Sequence, residues 1–534
     1  MALRDAGTAV HRFGLGPRPG EVDKVAAAGA ESWLLGQLDG PYKRPKAFEG
    51  FLTIPEERRV MIYRYGELMP PLREARDAAK EAGDTARYEK LAADEREILY
   101  GFLIWARESL MLELNARTNV AVTTEQPFRE RLVHFWSNHL VVPNLKLVAG
   151  IHSPAYERDV IHPHVTGKFA DMLMAAIKSP AMLIFLDNHV SVGPNSPFGR
   201  KSKDGLNENL GREILELHTL GVDGGYTQDD VIALSKGITG WSTLPSGEFG
   251  EIAPELRKAV DWGGFHFFAD RHEPGAFTLL AKTYAQEGVA QGEAMLNDLA
   301  RHPSTAKFLA RKLATHFVSD VPSDALVKRL ADAYLAADTS LAEMTAALVE
   351  SDEAWENAGT KLKQPHDYAV SVLRALDAPL ADGKVWPQTS YKFPDYPWKE
   401  RRWAAFYNPG VLDVALTGVT LSDFSSDEQR RGLEIAAFFR DVVAMGQPPY
   451  SAPGPQGWYD RWSDWNGADS LMKRVEFSLA TAERHGDRAG DPRRFVDALL
   501  GARASADLKT TVANAATPAQ GIGLALASPQ FQRR

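Results

Sequence analysis

The chain has no cysteine, and that absence removes disulfides, thiolate nucleophiles, iron–sulfur clusters and Cys-type zinc sites from consideration. Any metal it holds must be bound by His, Asp, Glu or amide oxygens. Excess positive charge is missing too: Lys+Arg 61 against Asp+Glu 70 gives a formal net charge of -9, which offers no general attraction to phosphate backbones, so nucleic acid is not an expected partner. Long apolar runs are also absent. No stretch reaches the length of a membrane span, and the opening Met1–Gly14 lacks an apolar signal segment, so the sequence reads as cytoplasmic with no membrane span. Several catalytic signatures are missing as well: nucleophile elbow, phosphate loop, dinucleotide fingerprint and zincin helix. No organic-cofactor motif remains.

What is present is a globular composition, 44% hydrophobic and 25% charged with 12 tryptophans, in 534 residues. Apolar positions three and four apart recur along most of the chain, which predicts a mainly α, large multi-helix fold. Helices are expected within Leu72–Leu114 and over Gln126–Leu140, Pro154–Ser179, Asn207–Leu220, Thr227–Gly237, Gly288–Arg301, Ser304–Phe317, Ser323–Ala337 and Ser340–Ser351. Thr227 followed by Asp230 reads as a capping pair. Strand character is confined to a small β-hairpin near residues 239–268, with Gly240–Leu244 pairing Gly264–Phe268. Composition shifts near residue 360. We therefore expect a 1–360 helical core and a 361–534 helical and loop region packed on it, with ordered aromatic loops at Trp386–Tyr407 and Gly446–Trp465.

The densest polar cluster is Asn207–Gly221. On a helix Glu208, Arg212 and Glu216 share one face at i, i+4 and i+8, so one guanidinium bridges two carboxylates. Glu213 lies instead on an arc with Leu210, Ile214 and Leu217, where an acid must find a partner or shift its ionisation. Asn207, Asn209 and His218 complete the cluster. A Glu–Arg–Glu ladder serves helix packing as readily as it serves chemistry.

Histidines form a second group. His134 and His139 are five apart, about 140° around a helix, so they do not chelate one ion from a single face as a spacing of four would. Asp187 and Asn188 follow an apolar run, and His272 begins a turn. Each is alone equally an ordinary loop residue.

Taken together, Asn207–Asn209, Arg212-Glu213, Glu216–Thr227, Thr239-Gly-Trp241, Phe135–His139, Phe185–Asn188, His272–Gly275, His302–Ala306 with Lys312, and Gly457-Trp458 resemble the bacterial family called domain of unknown function 1800. The resemblance extends over essentially the whole chain. It implies a mainly helical fold and a bacterial source, and it carries no settled activity. It further implies a protein partner encoded by a neighbouring gene, a sulfatase-like hydrolase bearing an export signal, and thereby a periplasmic alternative by co-export.

The reading that follows is a hydrolase acting on carbohydrate. Glu213, Glu208, His139 and His218 form its catalytic set. Asn207, Asn209, Arg212, Glu216, Trp136, Asn138, Asp187, Asn188, Trp241 and His272 form its substrate-binding set. A divalent cation is compatible with these groups. The alternative is a non-catalytic helical partner that escorts the neighbouring hydrolase. A pocket where acids and histidines converge from separate segments distinguishes the two.

Overall fold

The computed structural model describes residues 4–62, 68–202, 204–244, 263–356, 358–381 and 427–534. The expected aromatic loop at Trp386–Tyr407 and the interior of the first hairpin lie outside the described residues. Helices dominate, and most begin with the chemistry the sequence supplies. Thr227 accepts the Asp230 amide while Asp230 accepts the Thr227 amide, a complete capping box that starts the Gln228–Gly237 helix. Proline occupies the first turn of the Pro127–His139, Pro303–Phe317 and Pro365–Ala375 helices, where its missing N–H costs nothing. The Thr85–Thr123 helix has 39 residues, a rod of about 58 Å at 1.5 Å per residue. Among the described residues, no helix is long and apolar enough to cross a membrane.

Two of the expected helices are not continuous. Pro154–Ser179 breaks into Ser153–Tyr156, a wide π-type turn Glu157–Ile161, a tight turn His162–His164 and finally Phe169–Lys178. Pro163 supplies no amide donor there, and Lys168 is extended. Asn207–Leu220 likewise begins as Asn209–Glu213 and widens into a π turn over Ile214–His218. The Thr219 hydroxyl donates to the Ile214 carbonyl at 2.6 Å, and Gly221, at φ +86°, turns the chain away.

The expected hairpin forms from β1 (Trp241–Thr243) and β2 (Phe265–Phe267), antiparallel with Ser242 opposite His266. A second hairpin, β3 (Phe277–Leu279) with β4 (Lys282–Tyr284), goes beyond the sequence reading. Its turn places Leu280 and Ala281 at φ 49° and 61°, a conformation for which Asn or Gly is the usual signal. Asp230 provides the compensation. One of its carboxylate oxygens completes the capping box, and the other accepts the Leu280 amide at 2.7 Å.

Among the described residues two large apolar cores result, beside a small cluster of Phe48, Ala116 and Val120. One runs through elements from Ala6 to Trp355 and buries Trp136 and Trp241 completely. The other gathers the end of the long Thr85–Thr123 helix, Pro365–Ala375 and the helices from Asp427 onward. Polar side chains meet where the two adjoin.

Candidate active-site cleft

That junction contains a small cleft, about 80 Å³ in volume and open to solvent. The Pro127–His139 helix contributes His134, Ser137 and Asn138, and the first turn of Pro365–Ala375 contributes His366 and Asp367. Arg117 enters from the long helix and Glu157 from the π turn. Gln447, Tyr450 and Trp458 come from the Gly446–Trp465 segment. That segment is ordered as expected: Asn138 donates to the Trp458 carbonyl at 2.9 Å and accepts its amide at 2.7 Å, and the Trp458 ring packs on Trp465 at 5.6 Å.

The centre of the cleft is a carboxylate and an imidazole. Asp367 Oδ1 accepts from His134 Nδ1 at 2.9 Å, while its other oxygen faces the Arg131 guanidinium at 3.3 Å. Burial works against the charge of Asp367, but Arg131 and the hydrogen bond from His134 outweigh it and hold the carboxyl well below the usual carboxylate range. With Nδ1 donating to Asp367, Nε2 carries the lone pair in the neutral form of the ring. His134 Nε2 is buried and has no hydrogen-bond partner, and the same is true of Ser137 Oγ one turn along the same helix.

Arg117 stands beside this pair. Its Nε is bonded to Glu157, its Nη1 donates to His366 Nε2 at 3.2 Å, and its guanidinium lies over the Tyr450 ring at 5.5 Å. Burial, reinforced by the cation of Arg117, keeps His366 neutral. Beneath the cleft the polar chain continues: Arg131 Nε donates to His316 Nε2 at 3.0 Å, His316 Nδ1 bonds Asp460, and Arg534 pairs with Asp460 at 2.9 Å.

His134, His366 and Asp367 have the donor types of a divalent-cation site, and their ligand atoms lie within 4.8 Å of one another. In this arrangement, however, both Asp367 oxygens and the His366 Nε2 lone pair already face Arg131, His134 and Arg117. The groups as folded form an acid–base pair more readily than a metal cage.

The residues singled out from sequence fall into several places. Asn138 lines the cleft. His139 and His218 come together: His139 Nε2 donates to the His218 carbonyl at 3.1 Å, and Lys312 Nζ donates to His139 Nδ1 at 3.0 Å. Trp136 packs edge-on against His139 inside the core. Glu208, Arg212 and Glu216 form the expected ladder, at 3.1 and 3.6 Å, on a partly exposed face, where Gln228 joins Glu208 and Arg212. Among the described residues no hydrogen bond or ion pair reaches Glu213, and partial burial, reinforced by Glu216 and opposed by Arg212, pushes its carboxyl up.

Asn207 accepts the Asn209 amide at 2.9 Å and donates its own amide to Ser191. Asp187 pairs with Lys146 at 2.6 Å. Asn188 donates to the carbonyls of Ile238 and Trp241, and His272 Nδ1 donates to the Thr239 carbonyl at 2.9 Å, so both fasten the first hairpin.

Asp367, His366, Arg117 and Glu157 were not among the sequence candidates. Pro365-His-Asp367 at a helix start was a weak local signal. The partner of Asp367 lies 233 residues away, a distance no spacing rule spans.

The fold and site thus define a large helical protein with a histidine–carboxylate cleft where two cores meet. The profile of the family described as protein of unknown function (DUF1800) matches residues 8–533, and the chain belongs to that family. No curated protein and no solved structure matched it.

Proposed function

We propose that this chain is a hydrolase whose reaction takes place in the junction cleft, with His134 as the proton-transfer group and Asp367 as the residue that orients it. One observation carries the reading: His134 Nδ1 is tied to a carboxylate held ionised by Arg131, while Nε2 is left unpartnered at the cleft wall. In that arrangement Nε2 removes a proton from the attacking hydroxyl or water, and Asp367 stabilises the imidazolium that forms. Ser137 Oγ, also unpartnered, is the candidate hydroxyl nucleophile. Tyr450 and Trp458 are aromatic residues lining the cleft, and they are the basis for suggesting a sugar-containing substrate.

A purely escorting protein has no need of an open cleft with an unsatisfied imidazole, so the cleft favours catalysis over the escort role. The test is a screen of the purified protein against chromogenic glycosides and sugar esters, followed by variants. His134→Gln and Asp367→Asn should lower turnover by on the order of 10²–10⁴-fold while far-ultraviolet dichroism is retained. Ser137→Ala separates covalent catalysis from direct water attack. A folded His134→Gln protein with undiminished turnover would remove the cleft from the mechanism.

A further inference from the structure

A second polar cluster lies away from the cleft, and it is assembled from three distant segments: His139 at the end of Pro127–His139, His218 at the end of the π turn, and Lys312 on Pro303–Phe317. The tautomer of His139 is fixed by its neighbours. A carbonyl oxygen only accepts, so His139 Nε2 carries the proton given to the His218 carbonyl, and Nδ1 offers its lone pair to Lys312 Nζ at 3.0 Å. His218 is fully buried, and both of its ring nitrogens are without a partner. The Phe308 ring lies 5.6 Å from the Lys312 nitrogen.

The surroundings of Lys312 are thus imidazole and aromatic faces. Among the described residues no carboxylate forms an ion pair with it, and Asp460 is the one acid that acts on it, from beyond contact. Burial, opposed by Asp460, lowers its ammonium to about 8. The same desolvation, with the charge of Lys312, lowers His139, and it lowers His218 to about 3, so both imidazoles are neutral. Lys312 as a residue is partly exposed, while its ammonium group is desolvated.

We propose that Lys312 is a nucleophilic amine that condenses with an aldehyde or ketone ligand, with His139 Nδ1 as the base beside it. A desolvated lysine among apolar and neutral groups is the environment that activates an amine for imine chemistry. The unprotonated amine attacks the carbonyl carbon, forming a C–N bond. The proton released from nitrogen passes through His139 Nδ1 to the former carbonyl oxygen. Loss of water from the resulting carbinolamine leaves the imine, so one carbonyl and one amine give one C=N bond and one water, with no oxidant or reductant. The site shares no residue with the junction cleft, and its outcome is independent of the hydrolase reading.

The folded wild-type protein is treated with limiting acetaldehyde and cyanoborohydride at pH 7, and ethylation of each lysine is followed by peptide mass spectrometry. An ordinary lysine near 10.5 is far less deprotonated at pH 7 than one at about 8, so Lys312 should be modified on the order of a hundredfold faster than the well-exposed Lys328. The rate at Lys312 should rise with pH and level off above about 8, and the adduct should vanish in Lys312→Met. Modification of Lys312 no faster than Lys328, or only after unfolding in urea, overturns the proposal. Because the decisive comparison is made within the wild-type chain, a variant that fails to fold does not affect it.

Discussion

Replacing Asp367 with Asn tests the electrostatics of the junction directly. The side chains of Asp367 and Arg131 are 5% and 1% exposed, and Arg534, fully buried, lies 3.9 Å from the same carboxylate. Asparagine keeps the shape and an oxygen for His134 Nδ1, but it removes the negative charge that faces both the Arg131 and the Arg534 guanidinium groups. Breaking a buried pair from one side costs about 3–5 kcal/mol. Since one hydrogen bond survives, we expect a loss of about 3 kcal/mol at pH 7.

The pH dependence gives a sharper signature. Asp367 is held below the usual carboxylate range in the folded state, so its contribution is complete above the unfolded value of about 3.9 and is lost as pH falls from there toward the folded value. The Asn variant has no such titration. Urea unfolding of both proteins at pH 7, 5, 4 and 3 should therefore show a gap that is constant down to about pH 5 and narrows below about pH 4. A gap under about 1 kcal/mol at pH 7, or one that does not narrow in acid, would refute the argument that Arg131 and Asp367 form a charged buried pair.

Two other outcomes are expected. Gly457 sits at φ +76°, and an added Cβ would lie 2.3 Å from the Asn138 carbonyl oxygen, so Gly457→Ala should displace Trp458 from the cleft; its tryptophan emission should shift and any cleft activity should fall. The buried imidazoles of His11, His139, His152, His218 and His366 are all lowered, chiefly by burial, so the unfolded chain binds more protons below about pH 6.5. Stability should accordingly fall on acidification from pH 7 to 5, by about 1.4 kcal/mol per pH unit for each such group once below its unfolded value, and His218→Gln should flatten that slope.

What the sequence disclosed follows the range of the interactions involved. Three-four periodicity and first-turn proline are local, so the Pro127–His139, Gln228–Gly237 and Pro303–Phe317 helices were legible to within a residue or two. The desolvated character of Glu213 was legible for the same reason, because its apolar arc is set by its own helix. The β3–β4 turn was not. Leu280 and Ala281 carry no turn signal, and the group that stabilises them is Asp230, fifty residues earlier. The π turns were also hidden, since they depend on a side chain such as Thr219 taking a backbone carbonyl, and that is decided after the chain has folded. His134 was visible as a residue, but its carboxylate partner was not. The Asp367–His134–Arg131 arrangement exists only because the Pro365–Ala375 helix docks its first turn against the middle of another helix.

The Pro127–His139 helix carries His134 to one site and His139 to the other. Five residues of α-helix separate them by about 7.5 Å along the axis and about 140° around it. The rod therefore behaves as an axle with two fixed cams. Inserting or deleting one residue between them would turn one imidazole by about 100° relative to the other. No such change could leave both hydrogen-bond sets in register, so the length of this short stretch is constrained from two directions at once. Any displacement of this helix that moved His134 would also move the imidazole beside Lys312, so the two sites are mechanically linked through one rod.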